Sequence, residues 1–326
     1  MENRIINGSV AKLGQFPWMA RIGTKYKDGS TYFICGASLI TRTFLVSAAH
    51  CGEWVNIARL GQTYETNGTE CDQNGACAPP YQDIKIKSYL FEDFCKRSFQ
   101  NDIVLYQLDK PAELNDFVQP ICLSRISIPL SSLVGENIIT SGWGRQIRTD
   151  PTSNPQKLMY IAVPVQDMRK CIPLYYHFDR NTQFCLTRPN DKSVCFGDSG
   201  SGAVKFMKID GERRAHLIGI TSYVKKDCSL YPVFAFVENH LDRILIQINK
   251  HLHKNIKACR LTVIDSEDIS HEIEQPSLCL TPENQLIEEL SDIEETLEDQ
   301  EKPSLIKDRT VKIKLKSCQK DQDSPS

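Results

Sequence analysis

The chain is 326 residues long, 40% of them hydrophobic, and sets 39 basic against 41 acidic side chains for a net charge of −2. A balance this close to neutral argues against a nucleic-acid or membrane-surface protein, since both need a concentrated basic field. No stretch of about 18 apolar residues occurs, so no transmembrane helix is predicted.

The 13 cysteines narrow the class further. None forms a C-x-x-C pair, which makes a zinc ribbon a poor fit. Spread over strand-like segments they read as disulfides, hence an oxidising compartment, and the odd count leaves at least one free or paired with another chain. Met1-Glu2-Asn3-Arg4 lacks the apolar core of a signal peptide. The expectation is a truncated secreted chain; an intracellular protein with reduced cysteines is the alternative.

In chain order, Arg4-Ile5-Ile6-Asn7-Gly8, Gly14 to Ala20 and Cys35 to Ile40 are short apolar runs divided by Gly, Pro and polar residues. This is the pattern of short antiparallel strands. Phe44 to Ala49 is an apolar strand that delivers His50 beside Cys51. A histidine at a strand end is most often structural, but a clamp between Cys35 and Cys51 would hold its imidazole still. Asn101-Asp102 opens the apolar strand Ile103 to Leu108, and an acid there is either a turn residue or a paired one.

The stretch Val194-Cys195-Phe196-Gly197-Asp198-Ser199-Gly200-Ser201-Gly202 is the most informative. Its glycines let two successive N–H groups converge on one point beside the Ser199 hydroxyl, a pocket for a developing oxyanion. A serine is a poor nucleophile until a base takes its proton, and His50 with Asp102 completes that set. Downstream, Val237, Leu241, Ile244, Leu245 and Ile248 lie at helical spacing over 238–252. Residues 283–301 hold many acids and no Lys or Arg, with Leu286, Leu290, Ile293 and Leu297 as one stripe; 302–320 are basic. The tail from 251 is expected to be largely disordered.

Four segments occur in one order: Ala48-Ala49-His50-Cys51, Asn101-Asp102-Ile103, Ser141-Gly142-Trp143-Gly144 and Gly197-Asp198-Ser199-Gly200. On these, residues 5–250 resemble the chymotrypsin/trypsin family of serine endopeptidases. Cys71 to Pro80, Phe117 to Leu123 and Ser141 to Arg145 narrow the likeness to the catalytic domain of arthropod clip-domain proteases. The resemblance implies an all-β fold of two six-stranded antiparallel Greek-key barrels with a C-terminal helix. It divides the chain into an activation remnant (1–4), the protease domain (5–250) and an extension (251–326).

By that likeness His50 is the general base, Asp102 orients it, Ser199 attacks, and the N–H groups of Gly197 and Ser199 form the oxyanion hole. Cleavage after Arg4 would free the Ile5 amine to pair with Asp198, so the chain reads as a zymogen. Disulfides carried over are Cys35–Cys51, Cys71–Cys77, Cys171–Cys185 and Cys195–Cys228, with Cys95, Cys122, Cys259, Cys279 and Cys318 unassigned. The implied partners are protein substrates, an upstream activating protease and serpin-type inhibitors; the implied place is outside the cell.

Departures from the family pattern set further expectations. Ser193 stands where trypsin-like members carry an acid, and Val224 and Pro232 stand where open pockets have glycine. With Ser222 and Tyr223 these define a shallow apolar pocket, which predicts cleavage after small apolar residues rather than Arg or Lys. Ser201 replaces a usual glycine, and Ala203 also departs. Gln62 removes a charge from the loop where relatives bind calcium, so neither a metal nor a cofactor is expected. Asn67 in its polar loop is the expected glycosylation site, and Asn7 is not. The filled pocket, Ser201 and the tail leave a non-catalytic regulatory homologue as the alternative.

Overall fold

Short apolar runs divided by polar, Gly and Pro residues recur along the first hundred residues, and most of them become strands. In the computed structural model, which describes residues 5–65, 69–91, 93–124, 127–145, 156–209, 211–225 and 227–260, thirteen strands form two sheets. The first comprises β2 (Met19–Lys25), β3 (Thr31–Thr41), β4 (Phe44–Ser47), β5 (Ile57–Leu60), β6 (Gln82–Phe91) and β7 (Val104–Leu108). It closes into a barrel in the order β2-β3-β4-β7-β6-β5, every pair antiparallel. Closure leaves no free edge, and the inward positions fill with Ile22, Leu39, Leu45, Leu60 and Ile84, all essentially inaccessible.

The second sheet holds β1 (Ser9–Val10), β8 (Asn137–Gly142), β9 (Met159–Pro164), β10 (Gln183–Cys185), β11 (Gly202–Ile209), β12 (Glu212–Tyr223) and β13 (Val233–Phe236). Its order is β1-β9-β8-β11-β12-β13-β10. The expected second six-stranded barrel is therefore present as a curled half-barrel sheet rather than a closed ladder. The end strand β10 curls back to β9, which lies next to the other end, at the bridge Val165↔Leu186, with Gln166 N–H donating to the Cys185 carbonyl at 2.9 Å and Thr187 N–H to the Pro164 carbonyl at 2.8 Å. Two features limit that seam: β10 has three residues, and Pro164 has no N–H to give. Phe184 stacks on Phe234 at 5.3 Å and meets Phe236 edge-on at 6.3 Å inside this sheet.

Helices are few: α1 (Leu130–Leu133), α2 (Met168–Cys171) and α3 (Leu241–Arg260). A 3-10 turn, Val237–His240, replaces the start expected of the last helix. α3 runs ten residues beyond the boundary at 250, because no Gly or Pro interrupts 241–260. Val237, Ile244 and Ile248 are buried against the first barrel's core. Cys35–Cys51, Cys71–Cys77, Cys171–Cys185 and Cys195–Cys228 are bonded. Cys95 and Cys122, left unassigned above, are also disulfide-bonded. Arg4, Asn67, and the acidic and basic stretches of the tail lie outside the described residues.

Candidate active site

β4 ends at Ser47 and the chain turns through a single 3-10 turn, Ala49–Cys51, which carries His50. The Cys35–Cys51 bridge ties that turn to β3. Asp102 arrives just before β7 and is wholly buried. Its Oδ1 accepts the His50 backbone N–H at 2.8 Å and its Oδ2 lies 2.7 Å from His50 Nδ1. Ser222, at the end of β12, donates its hydroxyl to the same Oδ2. With Asp102 Oδ2 accepting from it, Nδ1 is the ring's donor nitrogen, which leaves Nε2 as the basic one.

Ser199 lies on the loop before β11, with its carbonyl accepting from Gly36 N–H at 2.8 Å. Gly200 adopts φ +78°, and a Cβ there would strike Ser47 Oγ and the Gly36 carbonyl, so no other residue fits. Gly197 also has positive φ, +97°. Among the described residues neither the Gly197 nor the Ser199 N–H is engaged by another group. His50, Gly197 and Ser199 line one cleft of about 510 Å³, together with Phe99, Tyr223 and Val224.

Asp198 points the other way. It is fully buried, and its two oxygens accept from Gly144 N–H and Cys195 N–H, each at 2.8 Å. A Cβ on Gly144 would collide with this carboxylate, which explains the glycine after Trp143. Burial outweighs these bonds and pushes the Asp198 carboxyl up to about 7. No cation faces it among the described residues.

A base oriented by a buried acid, a serine in the same cleft and a free pair of N–H groups is an arrangement for acyl transfer. The family profile for trypsin matches residues 5–244. The chain belongs to the trypsin family. It is a serine endopeptidase, a hydrolase of peptide bonds. Phenoloxidase-activating factor 3 of Holotrichia diomphalia is 31% identical over 257 residues, 74% of this chain and 71% of the relative. CLIP domain-containing serine protease HP8 of Bombyx mori is 30% identical over 76% of this chain and 70% of its own length. The Spaetzle-processing enzyme of Drosophila melanogaster is 29% identical over 70% and 61% respectively.

In this trypsin-family domain the expected pocket residues separate into two groups. Ser222, Tyr223 and Val224 line the cleft, whereas Ser193 and Pro232 are buried and do not. Ser193 Oγ bonds the Val194 carbonyl at 2.9 Å, and its N–H donates to the Ile6 carbonyl at 3.2 Å. Ile6 packs with Cys195, Cys228 and Val224 behind the pocket, and Ile5 is wholly buried in the core of the half-barrel. The Ile5 side chain is thus inside the domain while the chain still runs on to Arg4. Ser201, expected to crowd its turn, fits against Gly36 with its Oγ buried and unpaired among the described residues.

Two features were not read from the sequence. Ser222 is the third donor to Asp102 from 120 residues away, and its only sequence signal is a polar side chain ending an apolar strand. Phe99, at φ +54°, sets its ring edge-on to His50 with 5.6 Å between centroids. In the loop where calcium was not expected, Gln62 is taken up by Arg21 at 3.2 Å, and buried Glu70 caps Thr63 and Tyr64 N–H at 2.9 Å each. Asn7 donates its side-chain amide to the Asn190 carbonyl at 3.1 Å.

Proposed function

We propose that this trypsin-family chain is a secreted zymogen, that cleavage after Arg4 switches it on, and that it then cuts protein substrates in an extracellular proteolytic cascade. The observation that carries the switch is Asp198, a carboxylate buried beside the loop that bears Ser199 and facing no cation among the described residues. Cleavage converts the Ile5 amide nitrogen into an ammonium, and Ile5 is already seated inside the domain. Pairing the two charges removes the cost of burying one alone. Arg4 supplies the basic residue that an upstream trypsin-like protease would recognise.

In the cleaved enzyme Ser199 Oγ attacks the substrate carbonyl carbon while His50 Nε2 takes the hydroxyl proton. The electron pair of the carbonyl moves onto oxygen, which the Gly197 and Ser199 N–H groups stabilise. Collapse breaks the C–N bond, and the imidazolium returns its proton to the leaving amine; water then repeats the sequence on the acyl-enzyme. Asp102 stabilises the imidazolium. Val224 at the pocket wall favours small apolar side chains over Arg and Lys. The names of two relatives, one activating phenoloxidase and one processing Spaetzle, support a cascade role with protein substrates and an activating protease as partners.

A serine-directed fluorophosphonate tests this reading. Labelling should appear on Ser199 only after cleavage at Arg4 and be absent in cleaved Ser199→Ala. Unlabelled cleaved protein, matching its Ser199→Ala control, would end the proposal.

A further inference from the structure

Cys122 is disulfide-bonded, and the fold limits where its partner can lie. The four bridges Cys35–Cys51, Cys71–Cys77, Cys171–Cys185 and Cys195–Cys228 use eight of the 13 cysteines. A cysteine enters one bridge only, so the partner is Cys95, Cys259, Cys279 or Cys318.

Geometry removes the first two. Cys122 lies along the early part of β12, where its N–H donates to the Ala215 carbonyl at 3.2 Å and its carbonyl accepts from Leu217 N–H at 2.9 Å. Cys95 belongs to the other end of that strand. Its carbonyl accepts from Phe99 N–H at 2.8 Å, and the Phe99 ring meets Tyr223, the last residue of β12, at 5.2 Å. A strand advances ~26 Å from Ala215 to Tyr223, whereas the Cα atoms of a disulfide stand ~6 Å apart. Cys259 lies too far along α3. The first residue of that helix, Leu241, shares a small cavity with Leu217 and Ser124, so α3 starts near Cys122. At ~1.5 Å per residue the helix then carries the Cys259 backbone ~27 Å from its start. Cys279 and Cys318 remain, both in the C-terminal extension.

Charge separates these two. The β11–β12 hairpin beside Cys122 exposes Lys208 and Arg213, and neither forms an ion pair among the described residues. Their neighbours Lys205 and Arg214 are already paired, with Glu136 and Glu212. Arg213 lies over the partly exposed Phe206 ring at 4.7 Å, so the hairpin offers a basic and apolar face. Residues 261–280, which contain Cys279, carry Asp265, Glu267, Asp268, Glu272 and Glu274 between apolar residues and hold no Lys or Arg. Cys318 instead follows Lys312, Lys314 and Lys316, which the hairpin repels.

We propose that residues 261–280 dock on the β11–β12 hairpin and are fixed there by a disulfide between Cys122 and Cys279. Reach is no obstacle, since the chain from Arg260 to Cys279 can extend ~60 Å, about twice the length of α3. The docking face lies at the far end of β12 from Ser222 and Tyr223, which line the cleft. The extension is therefore a clasp on the back of the domain that leaves the cleft open to protein substrates. It is in place before and after cleavage at Arg4 and does not depend on the activation switch.

The test is a disulfide map of the full chain, secreted from a eukaryotic host, alkylated without reduction and digested with a glutamate-specific protease. Each cysteine in question then falls on its own peptide: Cys122 on 114–136, Cys279 on 275–283, Cys318 on 302–326, Cys95 on 93–113 and Cys259 on 239–267. The expected product is 114–136 joined to 275–283, which reduction separates. Alkylated Cys122, or 114–136 joined to any other peptide, would overturn the proposal. Hydrogen exchange tests the docking face separately. Cys279→Ser should speed amide exchange in hairpin residues 206–214 about threefold or more, and Cys318→Ser should not. No change with Cys279→Ser, or an equal change with both, would overturn the docking even if the bridge were found. In protein cleaved at Arg4, Cys279→Ser should leave fluorophosphonate labelling of Ser199 within about twofold of wild type, because the clasp is remote from the cleft. A tenfold loss would place the extension at the cleft and contradict the proposal. Absence of labelling in wild type would count against the protease reading, while the disulfide map still decides the clasp.

Discussion

Asp102 shows how much chemistry rests on single contacts. Its carboxylate accepts from His50 N–H, lies at hydrogen-bond distance from His50 Nδ1 and accepts from Ser222. Asp102→Asn should lower kcat by about 10⁴, the loss known for this change in a chymotrypsin-type enzyme, because the imidazole then holds the wrong tautomer. Ser222→Ala removes one donor among several and should cost roughly tenfold or less, read in the same steady-state assay of the cleaved enzyme. Val224→Gly should widen the pocket and raise kcat/KM for large apolar residues relative to Ala; an unchanged ratio would show that Val224 does not set the size limit. The three residues of the proposed triad stand out in the sequence because each breaks a local rule: an acid opening an apolar strand, a histidine beside a cysteine, a serine among glycines. Ser222 and Phe99 break none, and their roles exist only once distant strands meet. Pro232 and Ser193 are placed at the pocket by their positions along the chain alone, and both are buried and outside the cleft lining.

The turn Val237–His240 and α3 make the clearest case among the elements. The apolar stripe Val237, Leu241, Ile244 and Ile248 was legible at helical spacing, and it buries against the first barrel. Ile244→Ala should therefore cost about 2–4 kcal/mol in denaturant unfolding. The helix limits were less legible, since a 3-10 start and a run to Arg260 depend on packing rather than on capping residues. Within this element His240 is buried with both ring nitrogens unpaired among the described residues, against Ile103, Leu105 and Arg243. Burial, with Arg243 adding to it, lowers its imidazole to about 4. A folded value below the unfolded one near 6.5 means that the unfolded chain takes the proton first. The associated stability is present above pH 6.5 and lost as pH falls towards 4, by about 2–3 kcal/mol. His240→Leu should remove this acid lability in thermal unfolding between those pH values.

Across the whole molecule the strand rhythm made an all-β fold legible, and the four motifs made the barrel pair an expectation. The open seam of the second sheet was not legible, because it depends on how three-residue β10 meets the end of β9 after Pro164. The proposed zymogen state carries a pH signature. Asp198 sits at about 7 in the intact chain, above the ordinary carboxyl value. Its contribution to stability is therefore present below pH ~4 and lost as pH rises through 7, by about 4 kcal/mol. Intact protein should lose thermal stability over that range relative to Asp198→Asn, and protein cleaved at Arg4 should not, since the Ile5 ammonium offsets the carboxylate. Parallel midpoints for the intact and cleaved chains would argue against the pairing.

The most direct test of the account is proteolysis of casein by the chain before and after cleavage at Arg4, with products read by mass spectrometry. Cleaved wild type should cut internal bonds, mainly after Ala, Val and similar residues, while intact chain, cleaved Ile5→Gly and cleaved Ser199→Ala remain at background. Background activity from cleaved wild type, or equal activity from the intact chain, would contradict it.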